Sequence, residues 1–381
     1  MIVSRLILKN WRNFQSVDVV LQDRVFLVGP NASGKSNLLD AFRFLRDIAK
    51  DGGGLQKAVA DRGRLPKIRC LSARRSSNVE IEIHLSESSQ EPPRWKYAIG
   101  ITQEKGGKRR PILVYEKVWS AENLILNRPD EQDNQDAQRL TQTHLEQINS
   151  NMHFREIAVF LTSIQYMHLV PQLLRFPDSF PGQEIPGDPF GKRFLENLAR
   201  TNNKTRSSRL NKIESALHDV VPQLKELSFI KDGNGAPHLE AVYEHWRPKA
   251  GKQREDQFSD GTLRLIALLW SLQDGRSLLL LEEPELSLNA GIVSKLAPII
   301  SRLQRQTKRQ VILSTHSPDL LSDKGIGGEE VLILIPGPEG TEVAVASTKQ
   351  EILELLEGGL SIADAVLPTT NPQTALSSWG I

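Results

Sequence analysis

The stretch "GPNASGKSNLLDAFRFL" (residues 29–45) contains residue types that could bind phosphate. Gly29, Gly34, Lys35 and Ser36 fit the spacing G-x-x-x-x-G-K-[ST]. Glycines let backbone N–H groups fold around phosphate oxygens, and the following helix offers its positive N-terminal end. Lys35 would reach the β- and γ-phosphates, and the Ser36 hydroxyl would bind Mg²⁺. The predicted nucleotide-binding residues are Gly29, Pro30, Asn31, Ala32, Ser33, Gly34, Lys35, Ser36 and Asn37.

A second stretch, "LLLLEEPE" (278–285), places two carboxylates at the end of an apolar run. Four consecutive leucines predict a strand buried on both faces, each side chain contributing roughly 1.5–3 kcal/mol. Glu282 would coordinate Mg²⁺ through water, and Glu283 would orient and deprotonate the attacking water. Adjacent carboxylates are costly without nearby cations, and Mg²⁺ with Lys35 would remove that cost. A glycine-rich turn and an acidic turn without any ligand are the alternatives.

Strands and one helix are predicted to hold the glycine loop. The apolar runs "IVSRLILKNW", "SVDVVL" and "RVFLVG" precede it, and apolar residues then recur at helical spacing over about 14 residues until "DGGG" (51–54). Strict alternation in "NVEIEIHLS" (78–86) predicts a half-buried strand, with "WKYAIGI" and "PILVYEKVW" as antiparallel neighbours. The N-terminal part therefore reads as an antiparallel lobe around the loop.

In the rest of the chain, the residue pattern changes at two places, first near residue 128 and again at residue 257. Residues 128–150 are polar and predict a mobile excursion followed by a helix, and residues 188–226 carry a helical pattern. "FIKDGNGAPHLEAVY" (229–243) predicts a hairpin. From residue 257 a buried helix, a helix over 289–304 and the strands "QVILSTH" and "EVLILI" alternate. That alternation predicts α/β architecture with parallel strands.

Three motifs after the glycine loop carry a specific resemblance. "QFSDGTLR" (257–264), then "LLLLEEPELSL", then "VILSTHSPDLL" (311–321) resemble the ATP-binding-cassette (ABC) ATPase heads of the RecF, SMC and OLD-like group, also catalogued as AAA-type or AbiEii-like proteins. The resemblance implies a P-loop ABC-type ATPase head with an antiparallel β lobe and a helical insertion. Ser259 and Gly261 match the signature motif that caps the γ-phosphate of a second subunit's nucleotide, and His316 matches the switch histidine. "NWRNF" (10–14) resembles the family's "NFR" strand end.

The resemblance predicts how the chain divides into domains, but the sequence departs from the family pattern at several positions. It predicts an N-terminal ATPase lobe (1–127), a variable, mostly helical insertion (128–226), a C-terminal ATPase lobe (227–346) and a tail (347–381). Glu282 replaces the commoner aspartate, and Asn289 stands where histidine is usual. The glutamine that would contact the metal is Gln165 or Gln172, and Gln172 is taken as the metal ligand.

The function that the resemblance implies is an ATPase whose heads dimerise on ATP and separate on hydrolysis. It would drive a DNA-related process, bacterial anti-phage defence or DNA repair, as a homodimer or higher oligomer with an effector protein encoded nearby. About 46 residues follow "EVLILI" without an acidic D-x-D pattern, so no nuclease is expected in the same chain. The main alternative is a regulatory scaffold that binds ATP with little turnover and holds a toxin or nuclease. A transporter subunit or a small-molecule kinase fits "SDGT" and "STHSP" poorly.

Composition and charge limit the setting. Apolar residues make up 39 % and charged residues 25 % of 381, and Cys70 is the single cysteine. The absence of a signal peptide or a bilayer-length apolar run predicts a cytoplasmic protein with no membrane partner. Net charge is only +2, but basic residues cluster at 62–75, 105–110 and 200–212. These clusters are either solvated surface or a contact surface for a nucleic-acid backbone, and no aromatic residues interleave them.

Overall fold

The computed structural model describes residues 1–73, 77–180, 185–218, 220–244 and 251–370. The chain divides into two compact units. The first unit comprises Met1–Ile164, Gln310–His316 and the chain from Ile326 onward; the second comprises Gln165–Arg309 and Ser317–Gly325. These units follow contacts, whereas the predicted division at 127, 226 and 346 follows motifs and stays a prediction.

The described residues contain strands, α-helices and short 3-10 helices in mixed order. The strands are β1 (Ile2–Trp11), β2 (Phe14–Val20), β3 (Arg24–Val28), β4 (Val79–Ser86), β5 (Trp95–Gln103), β6 (Pro111–Ser120), β7 (Asn123–Arg128), β8 (Gln165–Met167), β9 (Leu224–Lys231), β10 (Pro237–Tyr243), β11 (Lys252–Arg254), β12 (Leu279–Glu282), β13 (Val311–Thr315), β14 (Val331–Gly337) and β15 (Gly340–Val345). The α-helices are α1 (Lys35–Ala49), α2 (Leu55–Ala60), α3 (Leu65–Ile68), α4 (Glu131–Gln135), α5 (Arg155–Thr162), α6 (Pro171–Arg175), α7 (Phe194–Arg200), α8 (Asn203–His218), α9 (Asp260–Gln273), α10 (Ala290–Val293), α11 (Leu296–Thr307), α12 (Pro318–Leu321), α13 (Gln350–Glu357) and α14 (Ile362–Thr370). The 3-10 helices are Ala137–Thr141, Met152–Phe154, Pro177–Ser179, Glu255–Gln257, Gly328–Glu330 and Ala346–Thr348.

An antiparallel sheet in the first unit has the order β2-β1-β4-β5-β6-β7. Its alternation is visible in β4, where Val79, Ile81, Ile83 and Leu85 are all 1 % exposed or less. Because side chains alternate across a strand, one face of β4 joins the core while the other carries polar groups. The predicted strand over 78–86 and its predicted neighbour "WKYAIGI" (β5) are confirmed. The other predicted neighbour, "PILVYEKVW" (β6), is wrong in that role, because β6 pairs with β5 and β7 while the second neighbour of β4 is β1.

The first unit also contains the strand that leads into the glycine loop. Strand β3 lies between β14 and β13 and runs parallel to both, and β15 pairs antiparallel with β14 at the edge. All five residues of β3 are buried, as expected for a parallel strand covered on both faces. The carboxyl ends of β3, β13 and β14 therefore meet at one edge, and the loop at 29–34 begins there.

Helix α1 follows the loop and confirms the predicted amphipathic helix. Leu38, Leu39, Phe42, Leu45 and Ile48 are fully buried, as their spacing of three and four residues predicts. The helix ends at Ala49, before the glycines at 52–54. Burial of this apolar stripe fixes the helix, and so fixes the direction in which its N-terminus points.

Residues 128–150 correct the sequence-based expectation of a mobile excursion. Arg128 is 1 % exposed and donates to Glu116 at 3.0 Å and to Asp133 at 2.8 Å. Glu116 also accepts from the backbone N–H groups of His144 (2.7 Å) and Leu145 (3.1 Å). A buried charge is tolerated only when it is paired and hydrogen-bonded, and here each carboxylate is. The polar composition therefore serves a buried ion network, and the expectation of mobility is wrong. The expected following helix is α5.

The second unit has a parallel pair of strands, a three-stranded antiparallel sheet and a buried helix. Strand β12 runs parallel to β8, and β9, β10 and β11 form an antiparallel sheet that contains the predicted hairpin. Helix α9 is buried almost all round, as predicted. The helix predicted over 289–304 is interrupted after Val293 and resumes at Leu296. The helical pattern predicted over 188–226 corresponds to α7 and α8, but β9 already begins at Leu224. In the described parts of the chain, no helix is long and apolar enough to span a bilayer.

Candidate nucleotide-binding site

The loop between β3 and α1 requires glycine at two positions. A Cβ on Gly29 would lie 2.7 Å from the Leu334 carbonyl oxygen, and one on Gly34 would lie 2.2 Å from the Asn13 amide nitrogen. Gly34 also has φ +101°, a left-handed conformation in which side chains are strained. Ala32 has φ 63° as well. The backbone is thus curled as the motif predicts, and the curl leaves no room for side chains at its two glycines.

Lys35 and Ser33 make the interior of this loop polar. The Lys35 side chain, only 7 % exposed, donates to the carbonyl oxygens of Gly29 at 2.8 Å and Pro30 at 3.1 Å. Its ammonium is therefore held by the curled backbone. The Ser33 hydroxyl is fully buried and has no hydrogen-bond partner within the described ranges. A buried hydroxyl without a partner is rare, so this loop has unused capacity to bond an incoming group. These features fit a phosphate, and Ser36, exposed at the first turn of α1, fits a metal-bound hydroxyl.

Asn13 supports the loop from outside and was not predicted to do so. Its amide nitrogen donates to the Ser33 carbonyl at 2.9 Å and to the Thr341 hydroxyl at 2.7 Å. Its amide oxygen accepts from the Asn37 side chain at 2.8 Å. The Trp11 indole donates to the Asn37 carbonyl at 2.7 Å. The segment "NWRNF" therefore braces both ends of the glycine loop, which its resemblance to a family strand end did not reveal.

We expect Asn13→Ala to weaken ATP binding about tenfold, because losing one or two net hydrogen bonds costs about 1–1.5 kcal/mol. The backbone of the loop would lose its outer support while Lys35 stays in place. Titration of ATP by calorimetry measures the change. Asn127→Ala, at an exposed position on β7, is the control and should bind like the parent chain. Equal affinities for both variants would contradict this role of Asn13.

His316 lies beside the loop in the first unit. In the parallel pair of β13 and β3, Thr315 is opposite Val28, so His316 and Gly29 are the next residues on their strands. His316 is exposed. The structure thus brings the predicted switch histidine to the predicted phosphate loop, although the two are 287 residues apart in sequence.

The two predicted acids lie at the end of β12 in the second unit. Glu282 is the last residue of the strand and accepts a hydrogen bond from the Tyr166 hydroxyl. Glu283 has φ +44°, an uncommon left-handed conformation for a residue with a side chain, and its carbonyl accepts from Arg264 at 3.2 Å. Burial lowers the pKa of Arg264, and Glu285 and Glu283 partly offset this. Tyr166 and Arg264 were not predicted as site residues, and although Arg264 ends the motif "QFSDGTLR", no role was assigned to it there.

The predicted signature residues form the start of α9. Ser259 is exposed and caps the helix, its hydroxyl accepting from the Thr262 N–H at 3.1 Å. A Cβ on Gly261 would lie 2.7 Å from the Ser287 carbonyl oxygen. Glycine at 261 therefore lets α9 approach the loop that follows Glu283. An exposed, serine-capped helix N-terminus suits an anion presented from outside.

The two candidate glutamines occupy different positions in the second unit. Gln165 is opposite Leu279 at the start of β8 and accepts from Arg309 at 2.7 Å, so it lies at the end of the strand remote from Glu282. Gln172 donates to Asp260 at 3.4 Å, next to Ser259. His168, by contrast, follows β8 in register with Glu282, because Met167 is opposite Leu281. Its Nδ1 is buried without a hydrogen-bond partner in the described part of the chain. Sequence reasoning sought a glutamine and so passed over this histidine.

Comparison with known proteins decides the family. The family model described as "AAA domain, putative AbiEii toxin, Type IV TA system" matches residues 24–322, more than three quarters of the chain. The chain belongs to this AAA, AbiEii-like family. No curated protein sequence matches it.

Solved structures show the same fold as this AAA, AbiEii-like chain. One is an SMC head bound to the C-terminal winged-helix domain of ScpA, with a TM-score of 0.55 at 14 % identity, covering 90 % of this chain and 98 % of that one. Another is an SMC head with an extended coiled coil, bound to the C-terminal domain of ScpA from Pyrococcus furiosus, with a TM-score of 0.52 at 14 % identity and coverage of 93 % and 99 %. The predicted AbiEii-like family is confirmed by the family model, and the likeness to SMC heads confirms the predicted fold. ATPases of this kind use ATP and usually Mg²⁺.

Proposed function

We propose that this chain binds and hydrolyses ATP with Mg²⁺, and that two copies close on each other around the nucleotide. The observation that carries the proposal is the curled loop that holds the Lys35 ammonium on its own carbonyl oxygens, with the unpartnered Ser33 hydroxyl inside. Bound ATP would supply the triphosphate charge, and Mg²⁺ would neutralise part of it.

The residues of the first unit have binding roles in this proposal. Lys35 exchanges a carbonyl partner for phosphate oxygens, and the N–H groups of residues 29–37 surround them. Ser36 contributes a hydroxyl to the metal. His316 contacts the γ-phosphate from the neighbouring strand end. These roles rest on the register and contacts given above together with the family resemblance.

The residues of the second unit have catalytic and closing roles. Glu282 coordinates the metal, and Glu283 accepts the proton of the attacking water, so that water and ATP give ADP and inorganic phosphate. Gln172 stays a proposed metal ligand. Ser259 and Gly261 present the N-terminus of α9 to the γ-phosphate held by another copy, which makes each site shared. Because the γ-phosphate is lost on hydrolysis, the closed dimer loses the contact that distinguishes it.

A mixing experiment tests the shared site. Lys35→Ala removes the phosphate cation, and Ser259→Arg blocks the exposed helix tip, so each variant alone should hydrolyse almost no ATP. In a two-fold dimer of the two variants, one site combines the intact Lys35 of one copy with the intact Ser259 of the other. Mixing should therefore restore up to roughly a quarter of wild-type turnover, because about half of the dimers are mixed and each has one good site. No recovery on mixing, from variants that stay folded by circular dichroism, would exclude a shared site.

The process driven by this cycle is proposed to be DNA-related, in bacterial anti-phage defence or DNA repair, in the cytoplasm and with a partner effector. The family description names a toxin–antitoxin system, and the similar SMC heads are seen with a bound partner protein. Steady-state ATP hydrolysis with and without duplex DNA tests this part. Stimulation supports it, whereas ATP-dependent dimerisation without turnover supports the alternative of a regulatory scaffold that holds a toxin or nuclease.

A further inference from the structure

Two of the three basic clusters meet in the first unit. Arg69 follows α3, and Lys105 and Arg109 lie in the turn between β5 and β6, yet all three line one open groove of about 310 Å³. This groove, the basic groove hereafter, also contains Glu104, which is paired with Arg110 at 3.1 Å. Arg69 and the segment 105–110 are separated by strands β4 and β5 in sequence, so their meeting follows from the fold. Arg74 and Arg75, the last members of the cluster at 62–75, lie outside the described residues.

The cations of the basic groove are available to a ligand. Arg69, Lys105 and Arg109 are exposed, and among the described residues none of them forms an ion pair. Lys67 and Lys108, their neighbours in sequence, are exposed as well. A cluster of unneutralised cations raises the local concentration of anions.

Other arginines of the basic clusters already have structural partners. Arg62 is buried between Asp40 at 2.9 Å and Asp47 at 3.0 Å. In the cluster at 200–212, Arg209 pairs with Asp274 at 2.9 Å, and Arg206 lies 3.9 Å from the Phe229 ring centroid. The structure thus separates cations that stabilise the fold from those left at the basic groove.

We propose that the basic groove binds the phosphate backbone of duplex DNA. Its cations come with small polar side chains, Ser77, Thr102 and Gln103, which can also donate to phosphate oxygens. Among the described residues that line the groove there is no aromatic side chain, so they offer no stacking surface of the kind used for single strands. The inference deepens the DNA-related part of the proposed function and rests on it for its role.

The groove is connected to the nucleotide loop through the backbone. Arg69 forms an antiparallel bridge with Trp11, whose indole bonds the Asn37 carbonyl. The Arg12 N–H bonds the Ile68 carbonyl. DNA held by Arg69 would therefore act on the strand end that braces residues 29–37, which is the physical basis for expecting DNA to change ATP hydrolysis.

The test compares two triple variants of the full chain. Arg69→Gln/Lys105→Gln/Arg109→Gln removes three cations from the groove, and Arg276→Gln/Arg302→Gln/Arg305→Gln removes three exposed cations from the second unit. Binding of a fluorescent 30-base-pair DNA duplex is measured by anisotropy across a salt series. We expect the groove variant to bind at least about tenfold more weakly, with a salt slope smaller by about 2.7, because each lost phosphate contact removes about 0.9 from the slope. The control variant should retain the parent slope.

Several outcomes would overturn the groove assignment. They are equal losses in both variants, no duplex binding by the parent chain, or tighter binding of a single strand or of a poly-glutamate peptide than of the duplex. ATP hydrolysis without DNA should be unchanged in the groove variant, which carries intact Lys35 and Glu283. If the DNA-binding results contradict the groove assignment while ATP hydrolysis without DNA is normal, the ATPase proposal still holds. Loss of both DNA binding and ATP hydrolysis in the groove variant would indicate a folding defect, which thermal unfolding would show.

Discussion

Glu283→Gln should bind ATP nearly as well as the parent chain, hydrolyse it about 10²–10⁴-fold more slowly, and accumulate as a closed dimer. The amide keeps the size of the side chain and can still bond water, but it cannot accept the proton. The left-handed backbone at Glu283 and the bond from Arg264 to its carbonyl do not depend on the carboxylate, so the local structure should survive. Single-turnover hydrolysis gives the rate, and light scattering with ATP and Mg²⁺ gives the mass.

Glu357→Gln is the matched control for this variant. Glu357 is exposed at the end of α13, and the same change there removes one charge without touching either acid of β12. It should hydrolyse ATP like the parent chain. Wild-type turnover in Glu283→Gln would refute the assignment of the base, and a monomer with bound ATP would refute the closed dimer.

Lys35→Ala should lose more than about 100-fold in ATP affinity, because hydrogen bonds from a charged group are worth about 1.5–3 kcal/mol and Lys35 would make several to phosphate. The substitution also leaves the Gly29 and Pro30 carbonyl oxygens facing the triphosphate without a cation. ATP should therefore no longer raise the unfolding temperature, since a ligand at free concentration L stabilises the fold by RT ln(1 + L/Kd), which approaches zero when Kd far exceeds L.

Lys212→Ala, at an exposed position on α8, controls for the loss of a lysine and should keep the ATP-dependent rise in unfolding temperature. An unchanged ATP affinity in Lys35→Ala would count against the whole nucleotide site. Retained binding of ATP by Glu283→Gln together with its loss in Lys35→Ala would separate catalysis from binding.

Much of the site was predictable because its chemistry is local in sequence. The spacing of Gly29, Gly34 and Lys35 encodes the loop, and the leucines before Glu282 encode the buried strand that ends there. Their residue types follow from the backbone conformation and, in the proposed function, from the phosphate, so the pattern can be recognised without knowledge of the fold. The serine cap of α9 was equally visible in "SDGT".

The unpredicted features depend on contacts between distant segments. Composition marked residues 128–150 as mobile, since polar residues usually remain in water, but Glu116 offers a buried partner to Arg128 from another strand. Gln165 looked suitable by type, but only the register of β8 against β12 shows that it lies at the wrong end. Similarly, the meeting of Arg69 with Lys105 required knowledge of how β5 and β6 turn.

In the proposed function, the hydroxyl of Thr341 would make nucleotide binding depend on how much of the chain has been synthesised. Asn13 and Thr341 are 328 positions apart, and a backbone bond of 2.8 Å from the Thr341 N–H to the Asn13 carbonyl accompanies their side-chain bond. The ribosome synthesises the phosphate loop early, but it synthesises Thr341, which supports that loop through Asn13, late. A nascent chain that has not yet reached β15 lacks the full brace of Asn13, so in the proposed function tight ATP binding would require that β15 has been translated.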